Sequence, residues 1–359
     1  MKLMLEERQV PSIWVQIFLP IIAVVISLLI SSMLILYAGG KPLEAYYYIV
    51  KGSWGSRFAI TETLVKAGPL MLTGLAASLA FNAKFWNIGM EGQLYAGAIA
   101  TTWIGITFTH WPSYILIPLV IILSFIAGGL WGLLAGWLKV KFNANEVVTT
   151  IMLNYIMINI VGLLVHGPWK NPRTMWPSSP IIAKAARFPL LVKRSRLHLG
   201  VLLAFIAAIV IFILLKKMVV GYRIRAVGAS QKASEYGGID VSKIFLLTIL
   251  ISGGLAGLAG AGEVAGVQKK LIEGLSPGYG YAGVVVGLLG RLHPIGVILS
   301  ALFFASLITG TGMMQRLTDV PVALTYAVQG ITLITILALT IFSEYKIRFV
   351  RVEGKEVAK

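Results

Sequence analysis

Glu91 stands about one helical turn inside an otherwise apolar run, within Asn87-Ile88-Gly89-Met90-Glu91-Gly92-Gln93. An ionised carboxylate there is costly unless it faces water, a polar partner or the interior of a helix bundle. Gly89 and Gly92 permit close backbone approach or an unwound turn beside it. Asn87, Glu91 and Gln93 therefore read either as the lining of a solute path or as hydrogen bonds that pin one helix to a neighbour. Asn154 and Asn159 lie deeper, about two turns or more into a later apolar run. Buried amides there act as interhelical links or as solute contacts. Asn145 and Glu146 open that run, where they would cap a helix or border a gate.

A third stretch surrounds Tyr281. Ser276-Pro277 is a helix-start pair, and Gly278, Gly280 and Gly283 follow. From Pro277 to Leu292 a helix would rise about 24 Å, against about 30 Å of bilayer hydrocarbon. A short, glycine-interrupted span points to a broken helix lining a transport site. Other chemistries lack their residues. Cysteine is absent, which excludes disulfides, thiolate catalysis and cysteine metal sites. His110, His166, His198 and His293 are too scattered for a metal site. Neither paired histidines nor a Ser/Lys dyad lies at matched depth for an intramembrane enzyme.

The elements that carry these residues are membrane spans. Of 359 residues, 57% are hydrophobic and 13% charged, with mean hydropathy +0.85; no soluble surface can be made from this composition. Uncharged runs of about 17 to 25 residues predict an all-α integral membrane protein with ten spans. These are Val15–Tyr37, Leu64–Phe81, Ile88–Phe108, Tyr114–Leu138, Val147–Val165, Leu197–Leu215, Ile244–Ala265, Pro277–Leu292, Ile295–Thr309 and Pro321–Phe342. The first is too long for the apolar region of a signal peptide and is expected to be retained.

The net charge of +17 comes with no basic stripe interleaved with exposed aromatics, so nucleic acid is not the expected partner. The cations sit between apolar runs, where they meet anionic lipid headgroups and set topology. Lys139 with Lys141, Lys216 with Lys217 and the basic C-terminus are tight against span ends, which favours both termini in the cytoplasm. Residues 166–196 then lie outside as a Trp- and Pro-rich segment, either an interfacial flap or a docking surface. Residues 216–243 lie inside. There Ser230 is a candidate N-cap, and Gly237 and Gly238 are stop residues, for a short helix over Gln231 to Tyr236. Thr73–Ala80 resembles Gly253–Gly260 five spans later, as an inverted repeat or merely as close-packed small residues.

Four stretches in order carry a resemblance to the permeases of ATP-binding cassette importers for branched-chain amino acids, simple sugars and nucleosides. They are Asn87 to Gln93, Asn145 to Ile156, Gly221 to Ile239 and Gly280 to Arg291, covering residues 60 to 340. The resemblance implies a type II importer-like bundle with inverted repeats and a broken or short helix. It implies a substrate path at Asn87, Glu91, Gln93, Asn154 and Tyr281. ATPase coupling falls to Arg225, Gly228, Ser230, Ala233, Glu235 and Tyr236, and a gate or helix cap to Asn145 and Glu146. The first two stretches look most like the nucleoside branch; simple-sugar and branched-chain amino acid permeases are the alternatives. The family often carries an acidic residue close to Tyr281, which this sequence lacks.

Implied partners are two cytoplasmic ATPase subunits holding ATP and Mg, a second, shorter and non-identical permease, and an extracytoplasmic substrate-binding lipoprotein. The chain itself has no Gly-x-x-x-x-Gly-Lys-Ser/Thr phosphate loop, so it cannot be the ATP-binding subunit; as a transport subunit it is expected to hold no cofactor and to be no enzyme. A stand-alone secondary carrier is the other class, with Glu91 and Glu263 as proton relays.

Overall fold

The computed structural model describes residues 2–7, 13–172, 176–318 and 345–350, together with scattered positions between 320 and 339. The expected span Pro321–Phe342 falls largely outside the described residues. Residues 1–46 with 315–359 form one unit, and residues 47–314 form another. In the first, β1 (Lys2–Glu7) pairs antiparallel with β2 (Tyr345–Val350), Lys2 opposite Val350 and Glu7 opposite Tyr345. This two-stranded pairing is an addition to the all-helical expectation.

The helices in chain order are α1 (Ile13–Tyr37), α2 (Pro42–Trp54), α3 (Arg57–Asn82), α4 (Met90–Thr107), α5 (Ser113–Phe142) and α6 (Glu146–His166). After the Trp- and Pro-rich segment come α7 (Leu199–Lys217), α8 (Val219–Ala229), α9 (Gln231–Tyr236), α10 (Val241–Ala261), α11 (Tyr279–Leu289) and α12 (Pro294–Leu317). α10 continues as a π-helix over Gly262–Gln268. Among the described residues, α3, α5, α6, α7, α10 with its π-helix, and α12 are long and apolar enough to cross a membrane. Ile21–Tyr37 with Pro42–Trp54 is a further, interrupted candidate.

Local chemistry sets several starts. The Ser56 hydroxyl accepts from Ala59 N, so α3 begins at Arg57 and takes in Glu62, ahead of the expected start at Leu64. Asn145 Oδ1 accepts from Val147 N and Val148 N and is the cap of α6. Glu146 instead forms an ion pair with Lys139 at 3.0 Å. α2 lies outside the ten expected spans because Glu44 and Lys51 interrupt its apolar residues.

The core of the larger unit forms around α10, which lies against α3, α4 and α5 at backbone distance. A Cβ on Gly97 would sit 2.1 Å from Gly257 O, one on Gly128 2.3 Å from Gly253 O, and one on Gly257 2.2 Å from Ser124 O. Small residues permit this approach, and dispersion between backbones holds it in a solvent that supplies little hydrophobic drive. The outward faces of α5 and α7 are purely apolar over their middles. On α5, Ile122, Ile126, Leu130, Leu134 and Trp137 are exposed at helical spacing, and on α7, Leu202, Ile206, Ile209 and Ile213. Such stripes suit lipid.

Gly257→Val should drive side-chain atoms into Ser124 and Gly128, costing about 1–3 kcal/mol or more by overpacking. The unfolding midpoint of the purified protein in detergent reads this loss. Gly312→Ala, where a Cβ meets nothing within 4 Å, should leave the midpoint unchanged.

Candidate functional site

Among the described residues, α4 and α11 are helices of the larger unit's interior that begin only after a partly buried non-helical stretch. α4 is expected from Ile88, but helical structure begins only at Met90, after a buried non-helical stretch in which Asn87 is fully enclosed. α11 rises only about 16 Å. It starts against the first turn of α4 and ends beside the last turn of α3, where Ser78 Oγ and Asn82 Nδ2 donate to Leu292 O at 2.5 and 3.2 Å. Two helix N-termini thus meet inside the bundle, each with first-turn N–H groups that need acceptors.

Every partner comes from a side chain singled out above or its neighbour. Glu91 Oε2 accepts from Gly280 N at 2.7 Å, and the Ser276 hydroxyl also bonds this carboxylate. Ser276 Oγ in turn accepts from Gly278 N and Tyr279 N, capping α11. Tyr95, one turn beyond Glu91, accepts from Ser276 N through its hydroxyl. The approach is so close that a Cβ on Gly280 would lie 2.2 Å from Glu91 N. A carboxylate between two positive helix ends is favourably placed.

On the α4 side, Asn154 Oδ1 accepts from Gly92 N at 2.7 Å, and its amide donates to Ile88 O at 3.0 Å and Tyr281 Oη at 3.4 Å. Asn87 has all four hydrogen-bonding positions occupied. Its amide donates to Gln93 Oε1 and Ser252 Oγ, and its oxygen accepts from Gly89 N and Gln93 Nε2, all within 3.0 Å. Ser252 passes the chain on to Ala76 O of α3. The structure therefore brings Asn87, Glu91, Gln93, Asn154 and Tyr281 together. Only Tyr281, 38% exposed, has substantial access from outside; the other four are buried.

The exposed face of α6 runs on from Tyr281. Met152, Tyr155, Ile156, Asn159, Ile160 and Leu163 line an open groove of about 430 Å³.

Residues 216–243, expected on the inner side, hold the expected short helix. α9 is capped by Ser230, whose hydroxyl accepts from Ala233 N at 3.2 Å, and it stops at Gly237. Ala233, Glu235 and Tyr236 are exposed, Tyr236 almost completely. α8 is fastened to the end of α3, since a Cβ on Gly228 would lie 2.0 Å from Asn82 O. Arg225 has a buried guanidinium nitrogen with no hydrogen-bond partner among the described residues. Asp240 caps α10, and the Lys243 backbone amide, with its ammonium beside it, holds this carboxyl below its usual value.

Sequence reasoning missed a second polar cluster, at the end of the segment 166–196. Glu62 of α3 takes a bidentate pair of bonds from Arg196. Lys66 and Glu263 lie close enough to interact with these charges. Lys66 also donates to Ile308 O of α12. Glu62 had no signal because it sits before the apolar run, and Arg196 none because its partner is over a hundred residues away. Among the described residues no group of three or more His, Asp or Glu side chains could hold a metal ion.

A family model described as the permease component of the branched-chain amino acid transport system matches residues 59–337. The chain belongs to this permease family. It is therefore a multi-pass membrane protein and a transport component. Among curated relatives, the guanosine ABC transporter permease protein NupP of Bacillus subtilis is 35% identical over 93% of this chain and 95% of its own length. The nucleoside ABC transporter permease protein NupB of Lactococcus lactis is 34% identical over 84% of this chain and 85% of its own. A glucose ABC transporter permease protein of Haloferax volcanii is 29% identical over 96% of this chain and 93% of its own.

In this permease, Asn154→Leu should leave Gly92 N and Ile88 O unpaired in the core, costing about 1–3 kcal/mol for each unsatisfied group. Thermal unfolding should show a clear fall in midpoint. Tyr281→Phe removes only the 3.4 Å contact and should unfold as the parent does.

Proposed function

We propose that the chain is one of two permeases in an ATP-driven importer, and that its substrate is a nucleoside. The observation that carries the substrate class is the similarity, above 30% identity over most of the chain, to permeases named for guanosine and nucleosides. The glucose permease matches as much of the chain at lower identity, which ranks a simple sugar second. Two ATPase subunits holding ATP and Mg, a non-identical second permease and an extracytoplasmic binding lipoprotein complete the assembly.

Ten spans, counting Pro321–Phe342, and two inverted halves are part of this reading. The two breaks support the inversion. α3 leads through Lys84 in a left-handed conformation (φ 58°) into a non-helical stretch and then α4. α10 leads through Lys269 (φ 62°) into a non-helical stretch and then α11. Both α4 and α11 thus begin after a non-helical stretch that follows a left-handed residue. The β1–β2 pairing supports both termini lying on one side, and the basic span flanks make that side cytoplasmic.

The proposed drive enters at α9. Pressure there reaches α8, then the end of α3 through the tight Gly228–Asn82 contact. Leu292, bonded to Ser78 and Asn82, passes it to α11, and Gly280 passes it to Glu91 and α4. Substrate would cross beside this junction, past Tyr281. In this scheme Asn87, Glu91, Gln93 and Asn154 hold the path's wall in register, while Asn145 and Glu146 fix the cytoplasmic start of α6.

Ala233→Trp puts a bulky ring on the exposed face of α9. Uptake of labelled guanosine by cells expressing the whole transporter should fall to background, with membrane insertion and partner co-purification retained. Normal uptake by this variant, or uptake by the purified chain without any ATPase, would rule the scheme out.

A further inference from the structure

The middle of α6 is chemically unlike the other outward faces of the larger unit. α5 and α7 show only apolar side chains over their middles, whereas α6 exposes Tyr155 (57%) and Asn159 between Met152, Ile156 and Leu163. Asn159 donates to Tyr155 O at 2.8 Å, and its carboxamide oxygen accepts nothing from the described residues. A free carboxamide oxygen and a phenol facing lipid at mid-span would be left without partners. This face therefore belongs on water or a polar solute.

Tyr281 of α11 adjoins it, joined to α6 through Asn154. Tyr155 and Asn159 lie along a groove of about 430 Å³, within the size range of small-molecule sites, about 300–1,000 Å³, and Tyr281 adds a second phenol beside α6. The groove is open on one side, so an opposing wall from the second permease is required to close it. Its chemistry matches one part of a nucleoside in particular. Aromatic side chains stack on nucleobases, and an asparagine amide pairs with a base edge through one donor and one acceptor. Sugars alone would call for more polar groups than this face offers.

We infer that Tyr155 and Asn159 of α6, with Tyr281 of α11, contact the base of the nucleoside during passage, making α6 the specificity-determining wall of the path. This inference rests on the nucleoside reading given above.

Because the chain has no cysteine, single replacements test it directly. Asn159→Cys and Tyr155→Cys are each assembled into the complete transporter in proteoliposomes, with its binding protein and Mg-ATP. A charged, water-soluble thiol reagent is then added, and labelling of this chain is followed by its mass. Ile126→Cys, on the apolar stripe of α5, is the lipid-facing control. Both α6 positions should label and the control should not. Guanosine at about ten times its apparent Kd should slow α6 labelling about tenfold, and glucose should not.

If neither α6 position labels in a turning-over transporter, the face is sealed in lipid or a dry interface and the inference is overturned. Labelling that guanosine does not slow overturns it too, as does protection by glucose alone. Failure of the parent transporter to take up any nucleoside is a separate result, which removes the nucleoside reading itself. Tyr155→Cys keeps the test open should Asn159→Cys fail to assemble.

Discussion

A helix that begins inside a membrane bundle must find acceptors for its first N–H groups, and water is not there to supply them. α4 and α11 both begin in this way, against each other. Glu91, Asn154 and Ser276 supply the acceptors, and Gly280 removes the Cβ that would keep the two helix ends apart. Removing any one of them leaves a backbone donor unpaired in a low-dielectric interior. The rest of the larger unit is arranged so that this junction can exist. α3 and α10 enclose it, and Asn87 and Ser252 join the approach to α4 to both of them.

That arrangement divides the molecule into parts of different stiffness. α10 meets α4 and α5 through glycines at backbone distance, which permits little sliding because any shift forces backbone atoms into contact. α3 is almost wholly buried over its apolar length, and α6 is mostly exposed. A movement starting at α8 and α9 would therefore travel through the stiff part as a unit. The loosely enclosed α6 face is where the two permeases and the solute would feel it.

Much of this was legible from residue types alone. Glu91 drew attention because a carboxylate in an apolar run demands a partner, and the short run after Pro277 because its length cannot cross the hydrocarbon. The α9 helix was readable from Ser230 and the glycines that follow Tyr236, since caps are local chemistry. The identity of partners was not readable. That Asn154 would meet Gly92, or Asn87 meet Ser252, depends on how distant helices rotate against each other, and one hydroxyl in an apolar span carries no pattern. α2 and the π-helix after α10 were hidden for a related reason: diluted hydropathy masks the first, and π-helices share the periodicity signal of ordinary ones. Of the pair Asn145 and Glu146, Asn145 supplies the side-chain cap of α6, and Glu146 stands in its first turn and pairs with Lys139, a partner no local pattern announces.

The two intramembrane carboxylates also bear on where the energy comes from. A proton-coupled carrier needs an acid that alternates between water on one side and water on the other. Glu91 is enclosed at a helix junction with Gly280 and Ser276 as partners, and ionising or neutralising it would disturb two helix starts at once. Glu263 is equally enclosed, on the π-helix near Arg196 and Lys66, among charges that fasten Arg196 to α3. Neither lies on the exposed face of α6, where the side chains open to solute are a phenol and an amide with no charge to relay. Both carboxylates thus serve the packing of the bundle, and the work of transport is better assigned to a motor pressing on the cytoplasmic helices than to a titration within the membrane.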